Sequence, residues 1–205
     1  TVDEQLKSRN FFNTVTFPDG SRITVPGSGC KLSKTPARRN LSVPLLGESG
    51  RNVFNEKLPK TQPGTPGAPS SKGPLAGIRI LDMGWVWAGA IPGQILADMG
   101  AEVIKVESMK RIDYMRLGRA VVEDQPAYEQ NPWFHAVNRN KKSIAVNLKS
   151  DEGVQLLKRI ASQCNAVIEN FKPGFLSKIG MDYKNLARDH PGLVMLSMSG
   201  VGQSG

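Results

Sequence analysis

Between residues 78 and 106 the chain reads strand, helix, strand within 29 residues, the size of one βαβ crossover. Residues 78–81 form the first short apolar run. Residues 88–99 form the helix, stopped by Gly100, and residues 102–106 the second strand. A second unit follows. Residues 143–147 read as a strand, and Ser150 suits an N-cap ahead of Asp151 and Glu152. Val154, Leu157, Ile160 and Ala161 then mark one apolar helix face. Residues 166–168 read as a strand, and Pro173 as the first residue of a short helix ending at Gly180. Asp182 caps a further helix to about Arg188, and residues 193–197 close the series as a strand. The predicted class is α/β, Rossmann-like: a mostly parallel sheet with flanking helices and right-handed crossovers.

The first third of the chain follows a different grammar. Residues 60–73, KTQPGTPGAPSSKG, hold no apolar residue larger than alanine, and Pro63, Pro66 and Pro69 alternate with Gly64 and Gly67. Such a stretch has nothing to bury and reads as an extended linker. Before it, Pro18-Asp19-Gly20 separates two runs in which Val15, Phe17, Ile23 and Val25 alternate, the pattern of a β-hairpin. From Pro26 onward this segment reads as loop, with one helical turn near 53–58. The expected organisation is a hairpin-bearing segment over 1–59, a linker over 60–73, and the α/β domain over 74–205.

Charge and composition narrow the function classes. The net charge is +9, yet residues 1–73 carry 11 Lys/Arg against 5 Asp/Glu, while residues 74–205 carry 16 against 13. The excess sits in the irregular segment, and no RNA-recognition signature or zinc-finger spacing accompanies it, so no nucleic-acid partner is expected. Two cysteines, Cys30 and Cys164, exclude a disulfide scaffold, and two histidines disfavour a His-based metal site. The longest uncharged apolar run, residues 83–97, is 15 residues and contains Pro92 and Gln94. It is shorter than the roughly 20 a membrane helix needs. The expectation is a soluble, cytoplasmic protein with no membrane association.

Three loops fall where α/β proteins hold ligands, beyond the carboxyl ends of strands. The first, Gly84-Trp85-Val86-Trp87-Ala88-Gly89, opens the first helix. Its glycines, with Gly93, do not match G-x-G-x-x-G, although Glu107 ends the next strand where a dinucleotide fold keeps its ribose-binding acid. A solvated strand end is the plain alternative for Glu107, and packing over the sheet edge is the one for Trp85 and Trp87. The second, Asn138-Arg139-Asn140-Lys141-Lys142-Ser143, offers donors for a phosphate or a carboxylate cluster. The third, Glu169-Asn170-Phe171-Lys172-Pro173-Gly174, combines a polar reader, a stacking ring and a helix start.

Read in order, residues 73–82, Ala88-Gly89, residues 96–107, residues 138–143, Asn147-Leu148-Lys149, residues 168–174 and residues 199–205 resemble the class III CoA-transferases. This is the CaiB/BaiF family of formyl-CoA and carnitine CoA-transferases. The resemblance is to the front part of such an enzyme. Phe11-Phe12, residues 17–20, residues 25–27, residues 32–36 and residues 44–48 resemble the family's C-terminal tail. A tail ahead of a head implies the junction of a tandem member.

The resemblance implies a transferase that moves CoA between an acyl-CoA and a carboxylic acid through an aspartyl mixed anhydride. The nucleophilic aspartate falls beyond the residues 199–205 motif, so no catalytic residue is expected in this chain, and the fragment alone is expected to be inactive. It further implies a dimer, or pairing of tandem copies. CoA contacts are implied at Trp87, Ala88, Ser108, Val146, Asn147, Leu148, Lys149, Asn170, Phe171, Lys172 and Lys178. Trp87 stands where formyl-CoA transferase has glutamine, and Ser108 where it has arginine, which shifts the expected phosphate charge to Lys110, Arg111 or another residue. Lys178 replaces an arginine, keeping the charge but losing the bidentate fork. Racemases and CoA-transferase/lyases share this front end, and a fragment of a dinucleotide-binding oxidoreductase is the alternative outside the family.

Overall fold

A computed structural model describes residues 3–17, 19–27, 33, 41–42, 73–118, 123–124 and 126–203. The 53–58 turn lies outside these residues, as does the linker up to residue 72. The chain divides into two compact units, Thr1–Pro66 with Ser204–Gly205, and Gly67–Gln203.

In the first unit, α1 (Glu4–Ser8) is capped by Asp3, whose Oδ1 accepts from the Leu6 amide at 3.1 Å. The predicted hairpin is present as antiparallel β1 (Phe12–Thr16) and β2 (Arg22–Pro26), with Val15 opposite Ile23. Asp19 makes the turn by accepting from the Ser21 amide at 2.9 Å, and Gly20 takes φ +84°. A third strand, β3 (Leu41–Ser42), pairs parallel with β1 in a segment the sequence reads as loop. Two residues are too few to show any period.

The second unit carries β4 (Arg79–Met83), α2 (Val86–Asp98), β5 (Glu102–Glu107), α3 (Pro132–Asn138) and β6 (Lys142–Ala145). It continues with α4 (Asp151–Ala161), β7 (Ala166–Glu169), α5 (Phe175–Lys178), α6 (Tyr183–Asp189) and β8 (Val194–Ser197). The five strands form one sheet in the order β6-β5-β4-β7-β8, and every neighbouring pair is parallel. The chain steps outward from central β4 to β6, then returns to build β7 and β8 on the other side. The strand order therefore reverses between β4 and β7, the kind of position at which α/β sheets hold ligands beyond the carboxyl ends of their strands.

Alternate strand residues fill the two faces. Leu81 and Val167 join Leu157 of α4, Met181 and Leu193 on one side. Ile80, Val103 and Ile168 meet Ala97 of α2 on the other. The Ser150 cap is as expected: its Oγ accepts from the Gly153 amide at 3.1 Å. Pro173 does not open its helix. It lies in a turn, and Gly174, at φ +83°, is the residue from which α5 starts. Helix α3, for which the sequence carries no marked period, is capped by Asn131, whose Oδ1 accepts from the Trp133 amide at 3.0 Å.

Candidate functional site

The turn between β4 and α2 sits at the reversal point, and side chains from elsewhere in the sheet hold its backbone. The Gly84 amide donates to Asp82 Oδ1 at 2.9 Å, and the Gly84 carbonyl accepts from Lys105 Nζ at 2.8 Å. Asn170, at the end of β7, takes both groups of Trp85: its Oδ1 accepts from the amide at 2.8 Å and its Nδ2 donates to the carbonyl at 2.9 Å. The Val86 amide donates to Asp113 at 3.1 and 3.2 Å. Asp113 in turn pairs with Lys105 at 2.9 Å, and both side chains are buried.

This packing explains the glycines that do not match a nucleotide fingerprint. A Cβ on Gly89 would lie 2.7 Å from the Asn170 side chain, and one on Gly84 would lie 2.1 Å from the Gly89 carbonyl oxygen. On Gly93 it would lie 2.5 Å from Asp82 Oδ2. The glycines let the helix approach a buried polar network rather than a pyrophosphate.

Asp82 also pairs with Lys141 Nζ at 2.7 Å, and that ammonium donates to the Ala90 carbonyl at 2.8 Å and to Asn138 Oδ1 at 3.0 Å. Burial pushes the Lys141 ammonium below the usual lysine range, and Asp82 opposes that shift. Arg139 and Asn140 both bind Asp98, at 2.6 and 2.7 Å, and the Arg139 hydrogen bond holds the Asp98 carboxyl below its usual range. The donors of the 138–143 loop thus meet the protein's own carboxylates. Glu107 is not a solvated strand end; it sits in the wall of a cavity beside the turn. It is buried, receives Arg116 Nη2 at 2.8 Å, and accepts from the Asp113 amide at 3.1 Å. The Arg116 guanidinium lies 3.6 Å from the centre of the Phe134 ring.

Beside the turn is a cavity of about 230 Å³. Trp85 and Phe171 form aromatic walls, 6.4 Å apart between ring centres. Met83, Val106, Val146 and Phe175 supply apolar floor, and Ser108, Lys110, Arg111 and Lys149 supply polar rim. Arg111 lies over the Trp85 ring at 5.3 Å.

Residues 75–205 match the CoA-transferase family III. The chain belongs to this family. It is 43% identical over 139 residues to succinate–glutarate CoA-transferase of Agrobacterium fabrum, covering 67% of this chain and 35% of that protein. It is 34% identical over 188 residues to the succinyl-CoA–L-malate CoA-transferase alpha subunit of Chloroflexus aurantiacus, covering 90% and 40%. A CAIB/BAIF family protein from Brucella suis superposes with a TM-score of 0.54 at 39% identity, over 62% of this chain and 33% of that one. The chain therefore spans about a third of the length of the curated relatives it matches.

Within this family III chain, the expected CoA positions fall in four places. Ser108, Val146, Asn147, Leu148, Lys149 and Phe171 line the aromatic cavity together. Lys178 lines an adjoining open recess with Leu148, Lys149 and Lys158. Lys172 lies in a third depression, with Glu169, Gly174 and Tyr183. Asn170 is bound to the Trp85 backbone, and Trp87 stands partly exposed against Trp133 at 5.4 Å, with Ala88 exposed beside it. Lys110 and Arg111 are on the rim of the same cavity as Ser108. Sequence reasoning gives no role to Lys105 or Asp113, and none to Lys141 beyond that of a loop donor. The available signal is a lysine between Ile104 and Val106 in the interior of a strand, which in a buried parallel sheet demands a partner. Among the described residues no helix is long and apolar enough to cross a membrane.

Proposed function

We propose that this chain carries a CoA-binding portion of a class III CoA-transferase whose donor is succinyl-CoA and whose acceptor is a second small dicarboxylic acid. The relatives named for succinate, glutarate and L-malate support the substrate class. The single observation that carries the binding reading is the cavity beyond the carboxyl ends of β4, β5 and β6. The aromatic and apolar lining suits the less polar parts of CoA, while Lys110, Arg111 and Lys149 suit its phosphates. Lys178 and Lys149, in the adjoining recess, extend the cationic track.

The reaction passes through an aspartyl mixed anhydride formed when a carboxylate displaces the CoA thiolate from the acyl carbon. The family's aspartate falls beyond Gly205, so the described residues bind and orient CoA and do not supply the nucleophile. Residues 1–59 are the tail of one transferase copy, 60–73 the linker, and 74–205 the head of the next.

Calorimetry with CoA and with NAD tests the reading. CoA binds weakly, its affinity falls as salt rises, and NAD does not compete. Lys178→Ala lowers CoA affinity about tenfold, a loss near 1.4 kcal/mol, and leaves the melting transition in place because its exposed side chain supports no core. Equal CoA affinity in the two proteins, or tighter binding of NAD, would remove the site assignment.

A further inference from the structure

Val86 takes φ +57°. A β-branched residue in the left-handed region is a genuine outlier, since its Cβ crowds the neighbouring carbonyl. Residues held this way persist only where the surroundings over-determine them, and they gather at ligand sites. Here the surroundings are specific. Asp113 accepts the Val86 amide with both carboxylate oxygens, and Lys105 ties that carboxylate to the Gly84 carbonyl one residue before the cavity's Trp85. Asp113 also accepts from the Met115 amide at 3.0 Å and is itself held by Glu107 through its own amide. The carboxylate is thus anchored from the strand and from the following loop, and Val86 is the residue that yields.

We propose that Asp113, with Lys105, is a positioning residue that holds Val86 in its strained conformation and thereby aims the Trp85 ring into the cavity. Asp113 does not line the cavity, so it acts on the ligand only through the turn. This rests on the reading of the cavity as the CoA site. If the clamp weakens, Val86 relaxes to negative φ against the two Asn170 hydrogen bonds on the Trp85 backbone, and the Trp85 ring shifts relative to Arg111 and Phe171. Glycine at position 86 removes the drive to relax, because it occupies positive φ without a Cβ clash.

The test uses the full chain labelled with 5-fluorotryptophan, the Trp85 resonance being assigned by its loss in Trp85→Phe. In Asp113→Asn the Trp85 line shifts or splits while the Trp133 line stays, and CoA affinity falls about tenfold. Adding Val86→Gly to Asp113→Asn returns the line and brings CoA affinity to within about threefold of the parent. An unchanged Trp85 line in Asp113→Asn, or a double variant no better than the single, overturns the proposal. If the parent takes up no CoA, the CoA reading fails, and the Trp85 line still decides the clamp. If Asp113→Asn does not fold, Val86→Gly and Val86→Ala are compared by melting temperature. Glycine melting above alanine supports the strained turn, and alanine above glycine overturns it, since an ordinary helix start favours alanine.

Discussion

Cys164 shows how one residue's surroundings set its chemistry. Its thiol is buried and donates to the Ile160 carbonyl at 3.2 Å. Burial pushes its pKa up from 9.0 to about 11. In the unfolded chain the thiol ionises first, so between about pH 9 and 11 the unfolded state binds fewer protons. Stability from this residue is therefore present below pH 9 and is lost as pH rises toward 11, by on the order of 2 kcal/mol. Urea midpoints at pH 8 and 10.5, compared with Cys164→Ala, isolate the effect. An identical pH slope in the two proteins would show that the thiol titrates normally. At the same scale, Lys105, Asp82 and Asp113 cannot be picked out as site residues from the sequence. A lysine between two apolar residues inside a strand says that a partner exists, but not which carboxylate supplies it.

At the scale of the element, α4 is the most legible part of the chain. Its cap, its acidic first turn and its apolar face all point to one register, and the structure buries Val154, Leu157 and Ala161 on that face. Adjacent leucines should then differ sharply. Leu157 is 0% exposed in the core, while Leu156 is 41% exposed. Leu157→Ala is expected to cost about 2–5 kcal/mol, against within about 0.5 kcal/mol for Leu156→Ala. Denaturant midpoints read this directly, and equal costs would put the helix in another register. Helix α2 is harder. Its glycines look like a broken nucleotide motif in sequence, and their reason is Asn170, some 81 positions beyond Gly89. No local window contains both.

For the whole molecule, the hydrophobic clusters of the α/β unit are built from residues 75–198. A chain covering 67–205 is therefore expected to fold cooperatively on its own, with a melting transition within a few degrees of the corresponding one in the full chain. Loss of a sigmoidal melt on removing residues 1–66 would mean the sheet depends on the first unit. CoA affinity is likewise expected to be a property of 67–205, to be checked by the same calorimetry.

The sequence by itself determined the α/β class, the hairpin, the family and the strand and helix succession apart from α1, β3 and α3. Those follow from local periodicity, caps, turn residues and contiguous motifs, each readable within a few residues. Only the tertiary structure decided the strand order β6-β5-β4-β7-β8, the strained turn at Val86 and the partners of the buried charges. It likewise gathered Ser108, Lys149 and Phe171 round one cavity and left Trp87 against Trp133 instead. The reason is physical. A buried charge or a close glycine is satisfied by whatever the sheet brings alongside it, and parallel strands bring together residues that lie far apart in the chain.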